Sequence, residues 1–284
     1  MPVFGLGTWT MGGREDNIHD PNNDDQRDIS IIQKAIDLGI THIDTAEAYA
    51  GGYAEQLVCR AIKNYGRSKL FLVSKVKLDN LNYSGLKQAL SSSLKRLGTD
   101  CLDLYLMHRY PGSDQKLKDC LKAMAEAKEQ GLIKNIGISN FNLEHTRQAY
   151  EWSKHPIVAT QVHYSLKFRE PEVTGVVGFC KKNDIMVIAW RPLGMGAARR
   201  GRTDAQDAPL VAYMAKKYGK TPAQIALNWL TSQPNVVTLI KTTNVDHLQE
   251  GIGAVDWEME KEDIEKLRKE FPGQQFISDT VPLA

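Results

Sequence analysis

Four side chains with acid–base character stand near the ends of short apolar runs in this sequence, namely Asp44, Tyr49, Lys75 and His108. A phenol with a pKa of about 10 is a poor acid at neutral pH unless a neighbouring cation stabilises its phenolate. Lys75 can supply that cation, and Asp44 can hold the lysine ammonium in place. His108 can donate a hydrogen bond that polarises a carbonyl oxygen. Together these side chains suit proton donation to an oxygen that becomes negative, which is the task in carbonyl reduction.

A repeating unit must position these residues: a short apolar run typical of a β-strand, then a turn, then a helical pattern. The sequence predicts eight strands, at Phe4–Gly7, His42–Asp44, Leu70–Lys75, Leu102–His108, Ile136–Ser139, Ala159–His163, Met186–Trp190 and Thr238–Lys241. Alternating strands and helices imply an α/β fold whose parallel strands are joined by right-handed crossovers. Eight units in 284 residues match the size of a closed (β/α)8 TIM barrel, so residues 1–284 are predicted to form one barrel domain.

Apolar residues recur at helical spacing between the predicted strands. Two sets of four each place their members on one helical face: Leu117, Cys120, Leu121 and Met124, and Val173, Val176, Val177 and Cys180. Thr221 followed by Pro222 predicts a helix start, because threonine is a good N-cap and proline is favoured at the first helical position.

An open, doubly wound parallel sheet is the competing fold. Residues 5–10 resemble the start of a dinucleotide-binding loop of the form Gly-x-Gly-x-x-Gly. Thr10, however, stands where the third glycine belongs, and the polar residues 14–25 follow instead of an immediate helix. The signal for a dinucleotide-binding loop is therefore weak, and the barrel is the favoured prediction.

Polar, ionisable or aromatic side chains end or follow every predicted strand: Thr8, Trp9, Asp44, Lys75, His108, Ser139, Asn140, Gln161, Trp190 and Lys241. In a TIM barrel the carboxyl ends of the strands form one face, where active sites are built. A single buried lysine or histidine is more often a structural residue than a catalytic one. That explanation is weak for the whole set, because aspartate, lysine and histidine end consecutive strands.

Composition and charge exclude several classes of protein. Lys and Arg number 36 and Asp and Glu 34, so a net charge of +2 gives no case for binding nucleic acid or an anionic membrane. The longest apolar runs are far shorter than a membrane span of about 18 residues. The first residues lack the pattern of a signal peptide, and we expect a cytoplasmic location. The sequence does not indicate the oligomeric state.

Cysteines and hydrolytic or metal motifs add further exclusions. The four cysteines are widely spaced, which predicts no disulfide framework. No His/carboxylate cluster has the spacing of metal ligands, so no metal is predicted. The motif Gly-x-Ser-x-Gly is missing from the sequence, which leaves a hydrolase with little support.

Taken in chain order, these motifs resemble those of the aldo-keto reductase superfamily over essentially the whole chain. The matching segments are Gly5-Leu6-Gly7-Thr8-Trp9, Asp44-Thr45-Ala46-x-x-Tyr49, Ser74-Lys75, Asp103-Leu104-Tyr105-Leu106-Met107-His108, Gly137-Ile138-Ser139-Asn140-Phe141, Gln161-Val162, Ala189-Trp190-Arg191-Pro192-Leu193-Gly194 and Lys241-Thr242-Thr243-Asn244. The resemblance implies a (β/α)8 barrel that interconverts carbonyls and alcohols with NADPH. It also implies that Tyr49 donates the proton and that Asp44, Lys75 and His108 complete a catalytic tetrad.

By the same resemblance, Ser139, Asn140 and Gln161 hold the nicotinamide carboxamide, and Trp190 stacks on the nicotinamide ring. The chemistry agrees, because a flat ring needs an aromatic platform and a carboxamide needs donors and acceptors. The predicted cofactor-binding set is Gly7, Thr8, Trp9, Asp44, Ser139, Asn140, Gln161, Trp190, Arg191, Pro192, Leu193, Gly194, Gly196, Lys241, Thr242, Thr243, Asn244, His247 and Glu250. The predicted substrate pocket contains Trp9, Tyr49, His108, Arg109 and Tyr110.

Residues 192–202 form a glycine-rich, basic segment that suits a pyrophosphate. Backbone can approach the anion closely at the glycines, and Arg199, Arg200 and Arg202 can neutralise it. For any one of these arginines, a solvated surface position is an equal alternative.

A second anion site is predicted after the last strand. Lys241 ends that strand, Thr242 and Thr243 follow with hydroxyls free to donate, and a helix that begins near Asn244 would add a favourable field. His247 can add a donor. We therefore expect NADPH to be preferred through its 2′-phosphate, with NADH possible but weaker. The alternative is that Lys241 only caps the barrel mouth.

Several positions depart from the family pattern. Trp190 stands where many members have tyrosine, and stacking survives this change. The catalytic histidine is followed by Arg109 and Tyr110 rather than tryptophan, which alters the substrate pocket. Gly251 replaces a common asparagine that would contact the adenine. The N-terminal barrel-closing hairpin is expected to be missing or trimmed and the segment after Phe271 is short, so we expect an open pocket.

The resulting prediction is an NADPH-dependent reductase of small aldehydes or ketones. Arg109 and Arg191 can favour acidic carbonyl compounds, although arginines near a pocket mouth are often only solvated. The alternative is a regulatory or redox-sensing barrel that binds NADPH and serves a partner protein with little turnover, as channel-associated relatives do. The intact tetrad favours the enzyme.

Overall fold

The computed structural model describes residues 2–14, 16–194, 205, 207–271, 273 and 283. Its strands are β1 (Phe4–Gly7), β2 (His42–Asp44), β3 (Phe71–Val76), β4 (Leu104–Met107), β5 (Ile136–Ser139), β6 (Ile157–His163), β7 (Met186–Trp190) and β8 (Val236–Ile240). Each strand runs parallel to its two neighbours, and β8 pairs with β1 to close the barrel. The predicted (β/α)8 barrel is therefore confirmed, and the open sheet is wrong.

Helices follow the strands and cover the outside of the barrel. They are α1 (Asp25–Asp37), α2 (Tyr53–Ile62), α3 (Tyr83–Leu97), α4 (Asp114–Glu129), α5 (Leu143–Trp152), α6 (Glu170–Val173), α7 (Val176–Lys182), α8 (Pro209–Tyr218), α9 (Pro222–Thr231), α10 (Val245–Ile252) and α11 (Lys261–Glu270). None of the described helices is long and apolar enough to cross a membrane.

The strand predictions hold closely. β1, β2, β5 and β7 have the predicted bounds, and the other four differ at one or both ends. β4 falls furthest short of its predicted length. Leu102 forms only an isolated bridge with Ile133, and His108 lies beyond the strand. β8 ends at Ile240, so Lys241 follows the strand rather than ending it.

The barrel interior is a packed core. Alternate residues of each strand point inward, and one cluster of buried side chains consists of Val73, Leu104, Leu106, Ala159, Ile188, Val237 and Leu239. Gly137 shows how closely the strands approach, since an added Cβ would lie 2.8 Å from the Ala159 carbonyl oxygen. This cluster is apolar, and most of the polar groups inside the barrel, with the exception of His42, lie at its carboxyl-terminal mouth.

The helix predictions have mixed outcomes. The set on α4, Leu117, Cys120, Leu121 and Met124, is buried as predicted. Thr221 caps α9 in a reciprocal pair of hydrogen bonds with Gln224, and Pro222 is its first residue. The prediction that Val173, Val176, Val177 and Cys180 share one helical face is wrong, because two helices cover this segment. Gly175 has a φ of +88°, so α6 ends before it and α7 begins after it, and Val173 is 41% exposed.

Candidate active site

Four side chains from separate elements meet at the carboxyl end of the barrel. Asp44 ends β2, Lys75 lies near the end of β3, His108 follows β4, and Tyr49 lies in the turn after β2. The Lys75 ammonium lies 2.6 Å from Asp44 Oδ1 and 3.2 Å from Tyr49 Oη, and it donates to the Thr45 carbonyl oxygen at 2.9 Å. The structure thus brings together the four residues that the sequence predicts.

A tight turn carries Tyr49 to the lysine. The three residues that follow it, Ala50, Gly51 and Gly52, all have positive φ values, of 49°, 63° and 89°. This left-handed backbone is easy for glycine, and an added Cβ at Gly52 would lie 2.6 Å from Arg96 Nε. The turn therefore folds back sharply enough to place the phenol above a buried strand end.

Electrostatics keep the Lys75 side chain charged although it is fully buried. Burial opposes the charge, but Asp44 and Tyr49 outweigh it and raise the pKa of the Lys75 ammonium above its usual value. An unpaired ammonium at such a position would instead lose its proton. The site therefore holds a fixed cation beside the phenol.

The Tyr49 phenol differs in one respect from the sequence prediction. Burial, the largest influence, raises its pKa, and Lys75 lowers it without reversing the direction, so the pKa of Tyr49 stays above its usual value. The lysine acts in the predicted sense, but the net effect is a protonated phenol at neutral pH. A protonated phenol is the state that a proton donor needs.

His108 is neutral and lies against the phenol. The two rings have centroids 5.8 Å apart at an interplanar angle of 74°. Burial, together with the charges of Lys75 and Arg109, lowers the pKa of the imidazole well below its usual value. A neutral imidazole still carries one N–H, so it can donate to a carbonyl oxygen without adding a charge.

A cluster of amides and a hydroxyl lies beside the tetrad, on β5 and β6. Gln161 donates to Asp44 Oδ2 at 2.8 Å. Asn140 donates to Ser139 Oγ at 2.9 Å and to the His108 carbonyl oxygen at 3.0 Å, and Ser139 Oγ donates to the Gln161 carbonyl oxygen at 2.9 Å. These are donors and acceptors of the kind a carboxamide requires, and Gln161 connects them to the Lys75–Asp44 pair.

Trp190 forms a half-buried aromatic surface next to this cluster. Its indole N–H donates to Asn140 Oδ1 at 3.2 Å. His163 stacks on its ring at a centroid distance of 4.7 Å, and Phe168 stacks on His163 at 3.8 Å. The rings behind Trp190 hold its orientation, as a platform for a flat ligand requires.

The end of β1 completes the face. Gly7 pairs with Asp44 across the β1–β2 ladder, and both the N–H and the hydroxyl of Thr8 donate to the Asp44 carbonyl oxygen. Trp9 is 38% exposed, and the Arg191 guanidinium lies 5.3 Å from the centroid of its ring. Trp9 and Arg191 therefore border the open side of the site.

The predicted phosphate site at β8 and α10 forms a separate cavity of about 40 Å³. Its lining includes Leu193, Lys241, Thr242, His247, Glu250 and Gly251. Asn244 is the N-cap of α10, so the helix begins where it was predicted.

One detail of this cavity was predicted wrongly. The Thr242 hydroxyl is not free, because it donates to the Asn244 carbonyl oxygen at 3.2 Å and accepts from the Asn244 N–H at 2.9 Å. Thr243 is exposed.

Gly251 is buried, and an added Cβ there would lie 2.8 Å from Phe4 Cζ and 3.0 Å from Ile240 Cδ1. Glycine at this position therefore lets α10 pack directly on the barrel.

Other predicted residues lie further from the tetrad. Tyr110 stacks on His145 at 3.5 Å and its hydroxyl hydrogen-bonds to Asp114, so α4 and α5 hold it. Arg109 is exposed. Pro192 and Gly194 belong to the turn after β7, whereas Gly196, Arg199, Arg200 and Arg202 lie outside the described residues.

Sequence reasoning missed two side chains at this face. Asp16 pairs its backbone with Tyr49 in an isolated antiparallel bridge, and His163 supports Trp190. Asp16 lies in a polar segment without periodicity, so no pattern could place it. His163 did end a predicted strand, two residues after Gln161, and that spacing was the available signal.

Comparison with known proteins agrees with this fold. The sequence model of the Aldo/keto reductase family matches residues 3–270. The methylglyoxal reductase YeaE of Escherichia coli (strain K12) is 32% identical over 273 residues, which cover 96% of this chain and 92% of that protein. An aldo-keto reductase of Mycolicibacterium smegmatis is 31% identical, with 98% and 93% covered.

Solved structures give the same result. The thermostable aldo-keto reductase Tm1743, solved with the inhibitor epalrestat, has a TM-score of 0.88 and 40% identity, with 95% of both chains covered. An aldo/keto reductase from Klebsiella pneumoniae, solved with NADP and acetate, has a TM-score of 0.84 and 32% identity, with 97% of this chain and 93% of that chain covered. The chain belongs to the aldo/keto reductase family, and it is an NADP-dependent oxidoreductase.

Proposed function

We propose that this protein reduces aldehydes or ketones to alcohols and that Tyr49 is the proton donor. NADPH, when bound, supplies the hydride that adds to the carbonyl carbon. Tyr49 Oη releases its proton to the carbonyl oxygen, which thereby becomes the alcohol hydroxyl, and the phenol regains a proton from solvent. The observation that carries the proposal is the fully buried Lys75 ammonium 3.2 Å from Tyr49 Oη, because this cation stabilises the phenolate that the proton transfer leaves.

The other members of the tetrad have supporting roles in this proposal. Asp44 keeps the Lys75 ammonium charged and in place at 2.6 Å. His108 donates a hydrogen bond to the carbonyl oxygen from a neutral ring, which fixes the oxygen near Tyr49 Oη. Removal of any one of these groups weakens proton donation without removing the phenol.

The cofactor fits the groups that surround the tetrad. Ser139, Asn140 and Gln161 are proposed to hold the carboxamide, and the buttressed Trp190 ring is proposed to stack on the nicotinamide. At the other end, the cavity lined by Lys241 is proposed to hold the 2′-phosphate, at the N-terminus of an eight-residue helix. Gly7, Thr8, Trp9, Arg191, Pro192, Leu193, Gly194, Gly196, Thr242, Thr243, Asn244, His247 and Glu250 remain cofactor-binding proposals with them.

The proposed substrates are small carbonyl compounds. Relatives with similar length are methylglyoxal reductases of Escherichia coli, YeaE and DkgA, at 32% and 29% identity. Trp9, Tyr49, His108, Arg109 and Tyr110 remain the proposed substrate pocket. One barrel domain over residues 1–284 also remains part of the proposal.

Steady-state oxidation of NADPH with a panel of small aldehydes, methylglyoxal among them, tests this function. We expect saturable turnover with NADPH and lower kcat/KM with NADH. Tight NADPH binding with no turnover of any carbonyl in the panel would contradict the reductase and favour the regulatory barrel instead.

A further inference from the structure

The loop between β1 and α1 brings an acidic side chain to the site, and the proposed reaction does not use it. Asp16 forms an isolated antiparallel bridge with Tyr49. The next N–H, that of Asn17, donates to the Ala48 carbonyl oxygen at 2.6 Å. The backbone of Asp16 is therefore fixed beside the turn that carries the phenol.

The same loop is also held at its ends. The Gly12 N–H donates to the buried carboxylate of Asp28 at 3.1 Å, and the Asp20 N–H donates to the Gly12 carbonyl oxygen at 2.9 Å. A loop tied at both ends and along its middle presents its side chains in a defined place. The backbone of Asp16 is thus held in place, and its side chain is exposed.

Residues paired across an antiparallel bridge extend their side chains to the same side, so the Asp16 side chain lies on the side of the Tyr49 phenol. Partial burial raises the pKa of the Asp16 carboxyl, and the Trp9 side chain and the charges of Arg109 and Lys75 oppose that rise. Its negative charge in turn raises the pKa of the Tyr49 phenol. Asp16 therefore lies within electrostatic range of the reacting oxygen.

The negative charge of Asp16 acts against the positive charges of two arginines at the mouth of the pocket. Arg109 is exposed, and the Arg191 guanidinium lies between two indoles, 5.3 Å from the Trp9 ring centroid and 5.0 Å from that of Trp190. The arginines attract an anionic substrate, whereas the carboxylate beside Trp9 repels it. Lys75 does not enter this balance, because Asp44 already pairs with it.

We propose that Asp16 is a specificity-determining residue that disfavours carbonyl substrates carrying a carboxylate and favours neutral or cationic ones. This inference rests on the proposed carbonyl reduction. Two like charges a few ångströms apart in a partly solvated pocket change relative affinity by about three- to tenfold. The arginines alone would predict the opposite preference.

The variant Asp16→Asn isolates the charge, because asparagine has nearly the size and shape of aspartate and carries no charge. Three benzaldehydes with a para substituent serve as substrates: carboxylate, nitro and trimethylammonium. For the variant relative to the wild type, we expect kcat/KM to rise about three- to tenfold with the carboxylate and to fall by a similar factor with trimethylammonium. With the neutral nitro compound, we expect a change of less than about twofold.

Asp79→Asn is the matched control. Asp79 lies on the same barrel face, in the short helix Leu78–Asn80, with a side chain that is 76% exposed and 3.8 Å from Lys77. This control removes one negative charge without touching the pocket, and we expect no change in the ratios. Equal shifts for all three substrates with Asp16→Asn, or no shift, would overturn the proposal.

A binding measurement separates this inference from the proposed function. If the wild type reduces none of the three aldehydes, the charge preference is tested with benzoate and benzyltrimethylammonium by titration calorimetry. The reductase proposal itself fails only if no carbonyl of the wider panel is reduced either. We expect Asp16→Asn to shift the ratio of their dissociation constants toward benzoate. The same ratio in both proteins would show that Asp16 does not select by charge.

Discussion

The two ends of the proposed cofactor groove are built in different ways. At the tetrad, the Lys75 and Asp44 side chains are 0% and 3% exposed and meet at 2.6 Å. At the β8–α10 end, Lys241, Thr243 and Asn244 are exposed, and the nearest cavity is small. One end is preorganised by inward-facing strand residues, and the other is a solvated helix start.

This difference decides how much each charge contributes. A charge pair in a buried site is screened little, whereas one in water at physiological salt is screened beyond about 8 Å. Substitutions at the tetrad should therefore have large effects that depend little on salt. Substitutions at Lys241 should have moderate effects that salt reduces.

The largest effect is expected for Tyr49→Phe. Loss of the proton donor should lower kcat by about 10²- to 10⁴-fold while NADPH binding stays nearly unchanged, because the ring still packs. Single-turnover kinetics and fluorescence titration with NADPH measure the two quantities. Tyr53→Phe is the control, since its hydroxyl bonds to Asp25 on the outer helices. Retention of more than about a tenth of wild-type turnover, with chemistry rate-limiting, would exclude Tyr49 as the donor.

The buried pair should behave as one unit. Lys75→Met removes the cation that stabilises the phenolate, and we expect kcat to fall by about 10²-fold. Asp44→Asn should reduce kcat less, because the lysine remains. In the double variant, the two effects should be less than multiplicative. If they multiply, the contact at 2.6 Å does not couple the two side chains in catalysis.

A smaller effect is expected at the solvated end. Lys241→Ala should reduce the preference for NADPH over NADH by about ten- to hundredfold, since one charge-assisted contact is lost. Dissociation constants from quenching of tryptophan fluorescence measure the ratio, at low and at high salt. Lys216→Ala, on the exposed face of α8, is the control. If the ratio of the two dissociation constants is unchanged, Lys241 does not bind the 2′-phosphate and only caps the barrel mouth.

The barrel floor provides the smallest effect, which is on stability. Burial lowers the pKa of His42 to about 4, so at pH below about 6.5 the unfolded chain takes up a proton that the folded chain does not. As the pH is lowered from about 6.5 toward 4, the free energy of unfolding should therefore fall. At pH 5 this residue should account for a loss of about 2 kcal/mol. His108 contributes in the same direction.

Urea denaturation at about pH 7.5 and pH 5 tests this effect. His42→Gln should lose less stability between the two pH values than the wild type does. His155→Gln, at the surface beside Glu129, is the control. Equal losses for the wild type and the His42 variant would show that the floor histidine does not resist protonation.

The strand ends were predictable because they obey simple periodicity. An apolar run that stops at a polar residue marks the mouth of a barrel, and Asp44, Lys75 and Gln161 all lie where that rule places them. Their hydrogen bonds were not predictable, since they depend on register between strands distant in sequence. Gln161 donating to Asp44 is a contact of this kind.

Loops and backbone geometry explain what the sequence did not show. Gly175 lies inside a regular apolar pattern, yet its left-handed backbone divides α6 from α7. The Thr242 hydroxyl is taken up by the turn that caps α10, because threonine hydroxyls bond readily to nearby backbone. No motif or periodic pattern in the sequence includes Asp16, and only the fold brings it to Tyr49.

Gly251 has a consequence for redesign of coenzyme use. Its missing side chain lets α10 lie directly on the seam where the last strand joins the first, with Phe4 and Ile240 occupying the space of a Cβ. An asparagine there would have to separate the helix from that seam before it could reach an adenine. If the 2′-phosphate binds at this end as proposed, we therefore expect changes of coenzyme preference to be tolerated best at Lys241, Thr243 and Asn244, which are exposed and leave barrel closure intact.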